Sequence, residues 1–146
     1  MPDQVQLGFT ALLTAEQRAR QLLYAQPPPV PPLTRNEREV LRRICLHIGR
    51  KQPITRQRLE EATGLAEREV KSVVRDLIVN HGVAIGATRG KDHGYFLVDS
   101  AEDLEVAGRP LINEMRELAR RLRVLYGPER VAELHGQLTL EEERSA

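Results

Sequence analysis

Arg68, Lys71, Ser72 and Arg75 recur at intervals of three, one and three along EREVKSVVRDLIVNHG. That spacing gathers them on one face of an α-helix. Two guanidinium groups, an ammonium and a hydroxyl donate hydrogen bonds to phosphate oxygens and to the acceptor edges of bases, Arg in bidentate fashion. Val70, Val73, Val74, Leu77 and Ile78 supply the complementary apolar stripe at helical period. A helix buried on one side and cationic on the other suits a duplex major groove. Arg89, Lys91 and His93 stand in a short loop, TRGKDH, between two strand-forming runs, and Arg56 and Arg58 open the segment before. The chemistry on offer is recognition of a polyanion. The competing description is an ordinary solvated helix face, since Glu67, Glu69 and Asp76 are interleaved with the cations.

No constellation points to catalysis, and a non-enzymatic chain without cofactor or metal is expected. Gly82, Gly86, Gly90 and Gly94 are spaced by four, but they fall at the ends and tip of a hairpin, where turn geometry explains them better than phosphate cradling. Glu60–Glu61 and Glu141–Glu143 are adjacent carboxylates with no acid, base or ligand beside them in sequence. The single cysteine, Cys45, excludes an intrachain disulfide; with Leu41, Ile44 and Ile48 it reads as part of a buried helix face. One Cys and four scattered His give no zinc spacing.

The chain has 146 residues, enough for one domain with extensions, and 40% of them are hydrophobic. Aromatics are only 3% and Trp is absent, so a core must come from Leu, Val and Ile. No apolar run approaches the roughly 18 residues of a membrane helix. The start, MPDQVQLGFTALL, lacks the basic opening of a secretory signal, which favours a cytoplasmic protein. Net charge is +1, but residues 34–98 hold 13 Lys and Arg against 8 Asp and Glu, so a basic middle lies between acidic flanks. Arg outnumbers Lys 19 to 3, a bias that suits phosphate and guanine contacts and equally follows from a GC-rich genome.

The elements that must position these residues are legible in turn. A helical arm is expected within residues 1–26, covering 10–24, followed by a linker at 27–33 whose five prolines favour an extended spacer and contain a PxxP pattern. Thr34 and Glu37 make a capping-box pattern opening a helix to about Ile48, stopped by Gly49. Thr55 caps a second helix through Ala62, Gly64 makes the turn, and a third helix runs from Glu67 to Asn80. Strands at 83–87 and 94–98 form a β-hairpin and close a domain at 34–99. Ser100 and Asp103 resemble another capping box opening a C-terminal helical extension at 100–146. That extension holds a helix broken near Gly108–Pro110, a long helix from Pro110 to Tyr126, and a short helix before a fraying acidic end.

Residues 34–98 resemble the winged helix-turn-helix family. The resemblance rests on ITRQRLEEATGLAEREVKSVVRDLIVNHGVAIGA, where a helix, a glycine turn and a second helix run into a strand. GYFLVDSAEDLE is similar, more weakly, to bacterial and phage replication or regulatory proteins. It implies a mostly α fold with a small β-hairpin and helical extensions at both ends. It also implies double-stranded DNA as partner, with 67–80 as recognition helix and 83–98 as wing. Arg68, Lys71, Ser72 and Arg75 become groove contacts, Arg89 and Lys91 wing contacts, and Arg56 and Arg58 backbone contacts. Such a module serves transcription regulation or replication. The alternative is an adaptor that docks on a protein of that machinery through the winged-helix surface or the helical arms. The chain departs from the family at Ala66, where a Ser or Thr commonly caps the recognition helix.

Leu111, Met115, Leu118, Leu122 and Leu125 alternate steps of four and three, the seam of a coiled coil over two heptads. Two outcomes are open: a homodimer, which would present two recognition helices to half-sites roughly 34 Å apart, or packing of the stripe against the chain's own domain.

Overall fold

The computed structural model describes residues 13–90 and 93–145. Two compact units divide the chain at Gly108/Arg109. The first is mostly helical with a small antiparallel sheet; the second consists of helix on either side of a break at Gly127.

Helix α1 spans Ala15–Tyr24 and starts later than the sequence suggests, because Thr14 and Gln17 close a reciprocal capping box there. The expected helical residues before Leu13 lie outside the described residues. Its Ala15, Ala19, Leu22 and Leu23 are buried in the same core as the following helices, so the expected arm covers that core with its apolar face. Residues 25–34, with the prolines, form neither helix nor strand.

Helix α2 spans Arg35–Ile44 and is four residues shorter than expected. Sheet pairing takes over at its end. Leu97 donates to the carbonyl of His47, Gly49 donates to the carbonyl of Leu97, and Ile48 bridges Leu97 in parallel. Backbone groups committed to a strand cannot also serve an α-helical ladder. Cys45 is partly buried against the core, its thiol donating to the carbonyl of Arg42; burial pushes its pKa up, away from the reactive thiolate.

Strand β1, Ile54–Thr55, is a strand the sequence does not announce. It pairs Ile54 with Tyr95 and Thr55 with Gly94, so the expected two-stranded hairpin is a three-stranded sheet in the order β1-β3-β2. β2 is Ile85–Ala87 and β3 is Gly94–Leu97. Gly86 lies opposite Phe96, which is fully buried, and a Cβ at Gly86 would come within 2.4 Å of the Phe96 ring. Only glycine lets that ring cross the strand.

Helix α3, Arg56–Thr63, is capped by Thr55, whose hydroxyl accepts from the backbone of Arg58, and stops at Gly64 in the left-handed conformation. Helix α4, Glu67–Val79, buries Val70, Val74 and Leu77, with Val73 partly covered. Ile78 departs from the expected stripe and is 40% exposed. Eight positions beyond Val70, a 3.6-residue period has turned it past the edge of the contact.

Two buried polar links fix these elements. Glu37 does not complete the box expected with Thr34, whose hydroxyl accepts from the Glu37 backbone alone. The Glu37 carboxylate instead meets Nε2 of His81 at 2.6 Å, both side chains nearly fully buried. The His81 carbonyl accepts from Nε of Arg18 on α1 at 2.8 Å. Three helices thus converge on one residue just past α4. The second link is Asp103, 2% exposed, in the first turn of α5, Ala101–Tyr126. Ser100 caps its backbone as expected, but the carboxylate takes the backbone N–H of Asp99, the backbone N–H of Arg50 and, at 2.9 Å, the Arg50 guanidinium. Burial raises the Asp103 pKa, but these donors outweigh burial and hold it below the usual carboxylate value.

Helix α5 runs unbroken through Gly108 and Pro110, where a break is expected. Pro110 removes one donor, the bond to the carbonyl four residues back, while the turns on either side keep theirs. Helix α6, Pro128–Ser145, also exceeds expectation and carries the acidic end in helical form. Pro128 occupies its first position, where a missing N–H costs nothing.

Glu37→Ala and His81→Ala should each destabilise the protein by about 1–3 kcal/mol, by stranding a buried polar partner. The double variant should fall short of the sum of the two losses. Chemical denaturation of all four proteins checks this; strict additivity would mean the pair carries no coupling. Asp103 has its pKa lowered on folding, so its contribution is present above the unfolded value of about 3.9 and lost as pH falls through the folded value. Asp103→Asn should be less stable at neutral pH and show a shallower loss of stability below about pH 4, read from urea midpoints across an acid series.

Candidate nucleic-acid interface

The helix pair α3–α4 and the β2–β3 hairpin carry the residues singled out in the sequence. On α4, Arg68, Lys71, Ser72 and Arg75 are all exposed, opposite the buried Val70, Val74 and Leu77. Arg58 on α3 and Arg89 at the hairpin tip are exposed as well. Lys91 lies outside the described residues. The hairpin neck is fixed: Thr88 donates its backbone N–H to the carbonyl of Gly94, and the Thr88 hydroxyl accepts from the Gly94 N–H. Arg89 therefore projects from a braced turn.

The cations differ in how committed they are. Arg56 is half-buried and joins the starts of two helices, meeting Glu67 at 2.6 Å and Glu60 at 3.7 Å. Lys71 meets the same Glu67 oxygen at 2.8 Å, one turn along α4. The hydrogen bond from the Lys71 ammonium, with the Arg56 charge beside it, holds the Glu67 carboxyl below its usual range. Arg75 has a loose pair with Asp76 at 3.5 Å, while Arg58, Arg68 and Arg89 form no ion pair or side-chain hydrogen bond among the described residues. The acidic residues near the start of α4 are thus largely occupied. Glu67 is shared by two cations, and Glu69 accepts the backbone N–H of Ala66 at 3.1 Å. Ala66 has no side-chain acceptor, so that helix start has half of a capping box.

Arg56, Lys71, Arg89 and His93 border one open cleft of about 430 Å³, floored by Gly94 and Tyr95, between the start of α3, α4 and the hairpin. Burial pushes the Tyr95 hydroxyl pKa up. The cleft and the outer face of α4 can accept oxygen anions by charge-assisted hydrogen bonds. The sequence pointed to the cations but not to Glu67 as their organiser. Its signal was the Glu67–Lys71 spacing of four, which places opposite charges on one helix edge. Among the described residues, no group of three His, Cys, Asp or Glu is placed to hold a metal ion, and no helix is long and apolar enough to cross a membrane.

Comparison with known proteins gives no match, whether to family models, to curated proteins or to solved structures.

Restoring the missing hydroxyl with Ala66→Ser should raise stability by about 0.5–2 kcal/mol, seen as a higher denaturation midpoint with an unchanged slope. A neutral or lower midpoint would show that the Glu69 contact already meets the needs of that helix start.

Proposed function

We propose that residues 34–98 form a winged helix-turn-helix module that binds duplex DNA and catalyses no reaction, serving transcription regulation or replication. Helix α4 is its recognition helix and lies in the major groove; the β2–β3 hairpin is its wing and rests on the backbone. The observation that carries this is the outward face of α4. Its buried side is fixed by Val70, Val74 and Leu77, and its outward side presents Arg68, Ser72 and Arg75 beside acidic residues already occupied. The helix, tight turn, helix and hairpin follow in the order that the family resemblance implies, with Gly64 supplying the turn.

The ion pairs divide the labour. Arg68, with no ion pair among the described residues, and Arg75, whose pair with Asp76 is loose at 3.5 Å, are the base-reading candidates, because bidentate donation needs a guanidinium that is free or readily released. Lys71 shares Glu67 with Arg56, and a phosphate contact from it must compete with that carboxylate. Arg58 and Arg89 flank the helix from α3 and the wing and suit phosphates.

Arg68→Ala and Arg75→Ala should each weaken binding to a selected duplex by about 1–3 kcal/mol, with Lys71→Ala weaker in effect than either. Fluorescence anisotropy at fixed moderate salt, on duplexes selected from a random pool, measures this. Unchanged affinity in the Arg68→Ala/Arg75→Ala double variant would remove α4 as the docking face. No duplex binding by the unmodified chain would leave the adaptor role in its place.

A further inference from the structure

None of the described residues of α5 and α6 beyond Asp103 is buried. Leu118 is 50% exposed, and Leu111, Met115 and Leu125 are more so. An isolated helix is marginal in water, and amphipathic helices draw most of their stability from covering the apolar face. α6 does not lie along α5 to provide that cover: α5 ends at Tyr126, Gly127 turns the chain, and the two helices are not packed side by side.

The seam itself specifies what fits it. With Met115 and Leu122 at a positions, Leu111, Leu118 and Leu125 fall at d. Ile112 and Ala119 then occupy the e flank, and Glu114 and Arg121 the g flank. In a parallel pair, g meets the partner's e, so Glu114 would face Ala119 and Arg121 would face Tyr126, with no charge matched. In an antiparallel pair, like flanks meet: Glu114 of one copy faces Arg121 of the other, twice by symmetry, and Ile112 faces Ala119. The core layers match in the same register, Leu111 against Leu122 and Met115 against Leu118. Glu114 makes no ion pair among the described residues, and Arg121 has only a loose exposed contact with Glu117 at 3.6 Å, so both are available. We propose that residues 111–122 of α5 pair antiparallel with the same stretch of a second copy of this chain, the Glu114–Arg121 pairs setting the orientation. Such a contact is self-complementary, as a two-fold interface must be. It stands independently of the DNA-binding proposal.

Sedimentation equilibrium of the full chain, over a concentration series reaching tens of micromolar, tests it. The unmodified protein should dimerise, and Leu118→Glu should be a monomer. Glu114→Arg and Arg121→Glu should each weaken the dimer roughly tenfold, replacing two attractive contacts by two repulsive ones. The combined Glu114→Arg/Arg121→Glu variant should recover the original affinity. These two positions are exposed, so circular dichroism should show the same fold in every charge variant. A monomeric unmodified protein overturns the proposal and assigns the seam to another occupant. A dimer that survives Leu118→Glu overturns the seam, and a dimer indifferent to the single charge reversals overturns the antiparallel register.

Discussion

His81 follows the end of α4 and meets α1 and α2 there, its ring 2.6 Å from the Glu37 carboxylate and its carbonyl held by Arg18. Much of the first unit depends on that convergence. It fixes where α4 stops, hence where the chain turns into β2 and how the outward face of α4 is presented. A buried carboxylate and imidazole are costly to desolvate, and each is tolerable only because the other satisfies it. The consequence is a core of small aliphatic residues that gains a specific arrangement from one polar contact, in a chain with almost no aromatic side chains to supply shape.

The sheet serves the same end. β3 is its centre, paired with β1 and β2, while Leu97 also exchanges hydrogen bonds with the segment after α2. The hairpin is thereby braced at its base, and Phe96 over Gly86 packs it from within. A hairpin held this way can keep Arg89 at a set position beside α4, and pre-organisation of that kind would lower the entropic cost of any binding there. Glu67 makes a comparable contribution among the cations, tying Arg56 to Lys71 across the α3–α4 turn. The α4 face is therefore built from two classes of cation. Some are committed to the protein's own carboxylates, and others face solvent.

What the sequence disclosed, it disclosed through local rules. Gly64 in the left-handed region, Thr55 as a cap and the three-and-four spacing of Val70, Val74 and Leu77 each act within a few residues, and α3 and α4 were legible to within one or two positions. Most of the misses came from partners distant in sequence. Thr34 and Glu37 satisfy a local pattern, yet the Glu37 side chain is claimed by a histidine 44 residues away. α2 ends early as Leu46 and His47 bond back in tight turns and the chain beyond them pairs with Leu97, and β1 is two residues long with a meaning only against β3. Gly108 and Pro110 predicted a helix break by propensity, and the helix continues through them. For the candidate interface, helical period alone placed Arg68, Ser72 and Arg75 on one face. It could not show that Arg56 and Lys71 share a carboxylate.

The central claim is that this chain holds duplex DNA through the cations of α4, α3 and the hairpin. The salt dependence of duplex binding tests it most directly, because each neutralised phosphate releases counterions and contributes about −0.9 to the slope of log K against log salt. With Arg58, Arg68, Arg75 and Arg89 as contacts, the account predicts a slope of about −2 to −4, depending on how many of the four meet phosphate rather than base. It also predicts that Arg89→Ala makes that slope shallower by about one unit. A slope near zero, or one that Arg58→Ala and Arg89→Ala together leave unchanged, would contradict it.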